Sequence, residues 1–213
     1  MNDNNADSLV YLVDDEFAIR DSLALIIEST GLTVRSFESA EDFLNNYSFN
    51  HTGCLILDVR MPEMSGLELQ DELLSRGISI PIIFISGHAR VSDSAKAFRS
   101  GAVDFLEKPF DYELLLERIK EALQKDVANR KQLNEYLTIK NRLDYLTVRE
   151  QELLSLIVKG YSNKEMAKEL GISNRTVEAH RARIMRKMQA ENLADLMVLA
   201  ARSDVLNDKF SQE

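Results

Sequence analysis

Three carboxylates, a hydroxyl and an ammonium stand where short apolar runs of the chain end. Asp14 and Asp15 follow Leu9 to Val13, Asp58 follows Cys54 to Leu57, Ser86 follows Pro81 to Ile85, and Lys108 comes just after Val103 to Leu106. If these runs are parallel strands, their carboxyl ends line one crevice, the place where open α/β sheets bind ligands. Carboxylates gathered there repel one another unless a cation offsets them, and an all-oxygen set that keeps several waters suits Mg2+. With Lys108 as a fixed cation and Ser86 as a hydroxyl donor, the set can hold a phosphoryl group on one carboxylate. Taken singly, each residue has an ordinary alternative: an aspartate after a strand commonly serves a turn or a cap, and a lysine before Pro109 can simply be solvated. Only the ordered set of five makes the chemistry specific.

The elements that must position these residues follow from the hydrophobic pattern. The four runs above and a fifth, Thr33 to Phe37, have strand length, and most are aliphatic enough to be buried on both faces. Helical spacing fills the gaps, as in Ile19, Leu23, Ile26, Ile27 and in Leu67, Leu69, Leu73, Leu74. Gly31, Gly77 and Gly101 fall where such helices stop. The pattern predicts α/β architecture, a parallel sheet covered on both sides. From Asp111 to about Asn141 there is no proline or glycine, so one long helix is compatible with the sequence. Its apolar seam, Leu116, Ile119, Leu123, Leu133 and Leu137, is interrupted by Asp126 and Arg130, which speaks against a coiled coil. Residues 124–142 read as a charged helical linker. The rest has no strand-like run and divides into four short helices. Thr147 with Glu150 and Ser162 with Glu165 fit capping boxes, and Asn192 can cap the last helix, about Asn192 to Ser203.

Asp14-Asp15, Asp58-Val59-Arg60-Met61-Pro62-Glu63-Met64-Ser65-Gly66, Ser86-Gly87-His88 and Asp104-Phe105-Leu106-Glu107-Lys108-Pro109-Phe110, in that order, resemble the receiver domain of two-component response regulators over residues 7–123. The resemblance implies a flavodoxin-like, doubly wound five-stranded parallel sheet. It implies that Asp58 is the phosphoacceptor, a carboxylate nucleophile toward the phosphohistidine of a sensor histidine kinase. Asp15, Asp58 and the backbone carbonyl of Arg60 would ligate Mg2+, with Asp14 acting through a bound water. Mg2+ and Lys108 would offset charge on the equatorial oxygens during transfer. Ser86 would turn to a phosphoryl oxygen and Phe105 would turn inward as the switch, remodelling the face made by the fourth helix, fifth strand and fifth helix. Phe105 lacks a hydroxyl, so a hydrogen-bonded outward state is denied to it. Arg60 and His88 occupy positions where family members vary the side chains that gate attacking water. The chain is then no enzyme on outside substrates; its chemistry is its own phosphorylation and dephosphorylation at Asp58.

Leu146-Thr147-Val148-Arg149-Glu150, Gly160-Tyr161-Ser162-Asn163-Lys164-Glu165-Met166-Ala167, Leu170-Gly171-Ile172-Ser173 and Thr176-Val177-Glu178-Ala179-His180 resemble the LuxR-type helix-turn-helix domain over residues 143–206, and the pairing with the receiver is FixJ-like. The helix from about Asn174 to Lys187 carries Arg175, Arg181, Arg183, Arg186 and Lys187, more cations than a structural surface helix needs. The resemblance points Glu178, Ala179 and Ala182 toward base edges, where Glu178 could accept from cytosine N4. It places Ser162, Lys164, Asn174, Arg175, Thr176, Arg183 and Arg186 in the DNA contact, largely to phosphates. One such module buries little surface, so double-stranded DNA with paired half-sites and a homodimer formed on phosphorylation are expected, through the last helix or the receiver faces. RNA polymerase is the further partner implied, with activation as the outcome.

Charge agrees with this division. The net charge of −9 would argue against nucleic acid, yet residues 1–123 hold 10 Lys+Arg against 22 Asp+Glu, a net of −12, while residues 124–213 hold 16 against 13, a net of +3. Only the second part favours a phosphate backbone. The single cysteine, Cys54, lies in an apolar run and has no disulfide partner. The polar, acidic N-terminus lacks the pattern of a signal peptide, and no apolar stretch approaches the roughly 18 residues of a membrane span, so a cytoplasmic protein without membrane contact is expected. His51, His88 and His180 share no ligand-like spacing, which removes zinc. Two rivals remain: a phosphatase or phosphotransferase using Asp58 as a covalent nucleophile on an outside substrate, and a binding module whose receiver works without phosphate.

Overall fold

The structure, a computed structural model, describes residues 8–47, 51–88 and 90–210. Leu9–Val13 (β1), Thr33–Phe37 (β2), Gly53–Asp58 (β3), Ile82–Ser86 (β4) and Asp104–Glu107 (β5) form one parallel sheet in the order β2-β1-β3-β4-β5. Between them lie Phe17–Glu28 (α1), Ala40–Asn46 (α2), Gly66–Ser75 (α3) and Val91–Arg99 (α4), and β5 leads into Tyr112–Asp144 (α5). Successive residues of a strand point to opposite faces, so β1 sends Tyr11 and Val13 into one core with Phe43, Leu57, Leu69 and Phe84, and Val10 and Leu12 into another with Leu23, Ile27, Ile83 and Ile119. This is why the three central strands read as unbroken apolar runs, whereas edge strand β2 keeps Thr33, Arg35 and Ser36 exposed. The expected five-stranded architecture is what is found, with small shifts. Strands β3 and β4 include Asp58 and Ser86 themselves because the ladder continues past them: Val59 N–H donates to Ile85 O at 3.0 Å and Lys108 N–H to Ser86 O at 2.7 Å.

The chain divides into two compact units at Arg130 and Lys131, a boundary inside α5 and inside the segment that reads as a linker. Asp126 shows what the break in the apolar seam is for. Its carboxylate is 1% exposed and accepts from the Gly53 N–H at 2.9 Å and from Arg130 Nε at 2.6 Å. The N–H at the start of β3 thus gains an acceptor it would otherwise have to find in water. A Cβ at Gly53 would lie 2.6 Å from the Leu9 carbonyl oxygen, so only glycine allows the approach. Next to it, Cys54 is fully buried and burial pushes its thiol pKa up, consistent with a core filler.

The second unit holds Val148–Val158 (α6), Asn163–Leu170 (α7), Asn174–Met188 (α8) and Leu193–Phe210 (α9). Both expected capping boxes are present, Thr147 with Glu150 and Ser162 with Glu165, and Asn192 Oδ1 accepts from Asp195 N–H. Helix α9 continues past Ser203 to Phe210. Leu153, Ile157, Met166, Val177, Ile184, Met188 and Leu196 make the core. Of the apolar stripe on the last helix, Leu196 is buried there, while Leu193 and Met197 stay exposed. Gly171, in left-handed backbone, ends α7 and turns the chain into α8. Among the described residues no helix is long and apolar enough to cross a membrane.

One ion pair fastens α8 to the start of α6. Lys187 Nζ donates to Glu150 Oε2 at 2.6 Å and to the Tyr145 carbonyl at 3.0 Å. Burial alone would raise the Glu150 carboxyl, but the bonds from Lys187 and from the Thr147 N–H and hydroxyl outweigh it and hold the pKa down at about 2. A depressed carboxyl stabilises the fold above its unfolded value and loses that contribution as pH falls toward the folded one. Lys187→Met should therefore cost about 1–3 kcal/mol at neutral pH in urea unfolding. The difference from wild type should shrink as pH falls from 4.5 toward about 2; a penalty independent of pH over that range would refute the assignment.

Candidate phosphorylation pocket and nucleic-acid interface

The pocket is built by strand register. Val13 of β1 pairs with Leu57 of β3, so Asp14 and Asp58 emerge side by side where the strand order reverses between β1 and β3. Neither is solvated in the ordinary way: Asp14 is 0% exposed and Asp58 5%. Lys108, just beyond β5, answers both, with Nζ 2.7 Å from Asp14 Oδ2 and 2.8 Å from Asp58 Oδ1. The remaining oxygens take main-chain donors, Asp14 Oδ1 from Glu16 N–H at 2.9 Å and Asp58 Oδ2 from Arg60 N–H at 2.5 Å. The Lys108–Pro109 peptide is cis. Gly66, first residue of α3, comes so near that a Cβ there would lie 2.2 Å from the Asp58 carbonyl oxygen. The glycine at the end of the Asp58–Gly66 motif is thus a packing requirement of the phosphoacceptor candidate.

Electrostatics in the pocket is a contest between burial and pairing. Burial pushes the Asp58 carboxyl up, Lys108 and the Arg60 N–H pull it down, Asp14 pushes it up again, and the net direction is upward. For Lys108, burial pulls the ammonium down, and hydrogen bonds from it to Asp14 and Asp58 raise it further than that, so its charged form is favoured. Of the other expected residues, Asp15 is exposed at the same sheet edge. Ser86 is buried, and its Oγ accepts from His88 N–H at 3.3 Å. Phe105 is half-buried, its ring 6.1 Å from that of Phe84. His88 and Arg60 are exposed beside the pocket.

The donor set suits a hydrated hard cation. One ammonium between two buried carboxylates leaves an excess negative charge, to which Asp15 adds. Among the described residues no three Asp, Glu, His or Cys side chains form a cage around a metal ion. Mg2+ asks for no such cage, because it keeps several waters and takes one or two carboxylates. Sequence reasoning missed two residues here: Glu16, whose main-chain N–H binds Asp14, and Arg20, whose Nη1 donates to the Asp14 carbonyl at 2.7 Å. Their contribution runs through main-chain atoms, which side-chain motifs do not register.

In the second unit, α8 presents Asn174, Arg175, Glu178, Ala179, Ala182, Arg183 and Arg186 to solvent on one side, and Val177, Ile184 and Met188 to the core. Ser162 and Lys164, at the start of α7, are exposed too. The structure corrects the tally of cations on this helix. Arg181 is tied to Asn163 Oδ1 at 2.7 Å and Lys187 to Glu150, so both serve the fold, and Arg175, Arg183 and Arg186 are the exposed ones. The hydroxyls of Ser162 and Thr176 are engaged in the caps of α7 and α8, the first with Glu165 and the second with Ser173.

Comparison with known proteins agrees with both halves. The family described as response regulator receiver domain matches residues 10–120, and the luxR family of bacterial regulatory proteins matches residues 144–200. The chain is 45% identical to the response regulator protein TodT of Pseudomonas putida over 195 residues, 92% of this chain and 86% of that one. It is 42% identical to the transcriptional regulatory protein FixJ of Rhizobium meliloti over 194 residues, 91% of this chain and 95% of that one. The solved structure of the response regulator StyR superposes with a TM-score of 0.84 at 38% identity, covering 92% of this chain and 100% of that one. With the receiver family matched over residues 10–120 and the luxR family over residues 144–200, this chain belongs to the two-component response regulators that join a receiver domain to a LuxR-type DNA-binding domain.

Proposed function

We propose that this protein takes a phosphoryl group from a sensor histidine kinase onto Asp58 and, so charged, dimerises and binds paired DNA half-sites to activate transcription. The observation that carries this reading is Lys108 Nζ held between Asp14 and Asp58 at the reversal of strand order. Asp58 attacks phosphorus as its P–O bond forms and the P–N bond of phosphohistidine breaks, the imidazole leaving as a neutral base once protonated. Lys108 faces the developing negative charge and, while the carboxyl is free, opposes without overcoming the upward pull of burial on it. A Mg2+ ion held by Asp15, Asp58 and the Arg60 carbonyl, with Asp14 through water, would supply the rest of the charge neutralisation. The acyl phosphate brings new acceptor oxygens, to which Ser86 turns; Phe105 follows inward. The protein has no outside substrate and works in the cytoplasm with RNA polymerase as its downstream partner.

On the DNA, Arg175, Arg183, Arg186 and Lys164 meet phosphates, with Ser162, Asn174 and Thr176 beside them at the helix starts, where the N–H groups of Ser162 and Thr176 are held by Glu165 and Ser173. Glu178, Ala179 and Ala182 face the bases. Because two of the five cations of α8 are used internally, the salt dependence of binding should be that of the exposed ones.

Three outcomes test this. With beryllium fluoride and Mg2+ as phosphoryl mimic, wild type should bind selected DNA about tenfold more tightly, and Asp58→Ala should not respond; equal binding by both, with and without the mimic, would favour a phosphate-independent module. Arg186→Ala should weaken binding across DNA sequences and reduce the slope of log K against log salt by about 1, whereas Lys187→Met should leave that slope unchanged. Arg60→Asn and His88→Ala, which shorten exposed side chains beside the pocket, should hasten loss of phosphate from the purified phosphoprotein several-fold; unchanged decay removes both from the gating of water.

A further inference from the structure

Asp14 is held through its side chain and its main chain alike. Its carboxylate takes Glu16 N–H and Lys108 Nζ, and its main-chain carbonyl takes Arg20 Nη1 at 2.7 Å. That carbonyl belongs to the peptide joining Asp14 to Asp15. The unit is planar, so fixing the oxygen fixes the plane and, with it, the direction in which the chain presents Asp15. Nothing in α1 itself calls for a cation at this place. Arg20 is the fourth residue of the helix, where the macrodipole disfavours positive charge, and N-cap Glu16 makes no side-chain cap bond. The guanidinium also lies 5.8 Å from the centroid of the exposed Phe17 ring, which limits the arcs it can sweep.

We propose that Arg20 is a positioning residue for the divalent-cation site: by holding the Asp14–Asp15 peptide it sets the affinity of the pocket for the ion, a role that presupposes the Mg2+ reading given above. A supporting group that aims a ligand typically changes metal affinity by 10–100-fold when lost, and the lower end suits a site that keeps much of its water. The sign of the effect separates positioning from charge. A cation near Mg2+ repels it, so if only charge mattered, removing Arg20 would tighten binding and lysine would substitute for arginine. If the carbonyl bond matters, both substitutions weaken binding, because lysine keeps the charge and loses the planar fork.

The test is a titration of the full-length protein with Mn2+, which shares the octahedral oxygen preference, read as loss of the electron paramagnetic resonance signal of the free ion. Thermal unfolding is followed alongside, with wild type, Arg20→Lys, Arg20→Gln and Asp58→Ala compared. The expected result is a Kd raised about tenfold in both Arg20 variants, with binding lost in Asp58→Ala. Wild-type affinity in Arg20→Lys, tighter binding in Arg20→Gln, or a lowered melting temperature with unchanged Kd overturns the role of Arg20 while leaving the cation site standing. Should Arg20→Gln not fold, Arg20→Lys decides alone. If wild type takes up no Mn2+, or Asp58→Ala binds as wild type does, the cation site itself falls and this role with it.

Discussion

Two carboxylates buried side by side are the condition to which the receiver is built. Taking a charged group out of water costs several kcal/mol even after relaxation, and two of like sign repel as well. The sheet imposes that cost: β1 is apolar throughout and β3 is apolar up to Asp58, and their register delivers Asp14 and Asp58 together into a buried site. Every other feature of the pocket answers it. Lys108 is brought from the far edge strand to stand between them, Glu16 and Arg60 lend main-chain N–H groups, and Gly66 lets α3 close over the Asp58 backbone. A site so poised responds strongly to added charge, because it already carries more negative charge than Lys108 offsets.

The DNA-binding unit solves a simpler problem with a division of labour among its cations. Capping boxes at α6 and α7 satisfy donors that helices of only 11 and 8 residues cannot leave bare, because in such short helices the ends carry much of the stability. Lys187 and Arg181 then fasten α8 to α6 and to α7, Arg149 bonds the Leu170 carbonyl at the end of α7, and Arg142 reaches the Met188 carbonyl at the end of α8. These ties fix α8 against its neighbours, as the proposed readout of base edges would require.

The fold was legible because buried parallel strands are written as apolar runs with glycines at helix ends, and Leu9–Val13 and Thr33–Phe37 have the bounds their sequence predicts. The pocket was legible as far as side chains carry it: Asp14, Asp58 and Lys108 meet. What the sequence concealed are interactions made through the main chain or across long separations. Arg20 looks like an ordinary helix residue until its carbonyl partner is seen. Asp126 reads as a flaw in a seam because its partner, Gly53, is 73 residues away. The basic helix was legible in composition and overstated in use, since composition counts Arg181 and Lys187 without showing the Asn163 and Glu150 that hold them.

Cys54 has a practical sequel. It is the only thiol of the chain, it is sealed inside the core beside the Asp126 clasp, and burial keeps it in the unreactive protonated form. The folded surface is in effect thiol-free as nature made it. A cysteine placed at any exposed position, on α8 or beside the pocket, becomes a unique handle for a spin label, a fluorophore or a crosslinker, and pairs of such handles can measure distances within either unit without first disturbing the core.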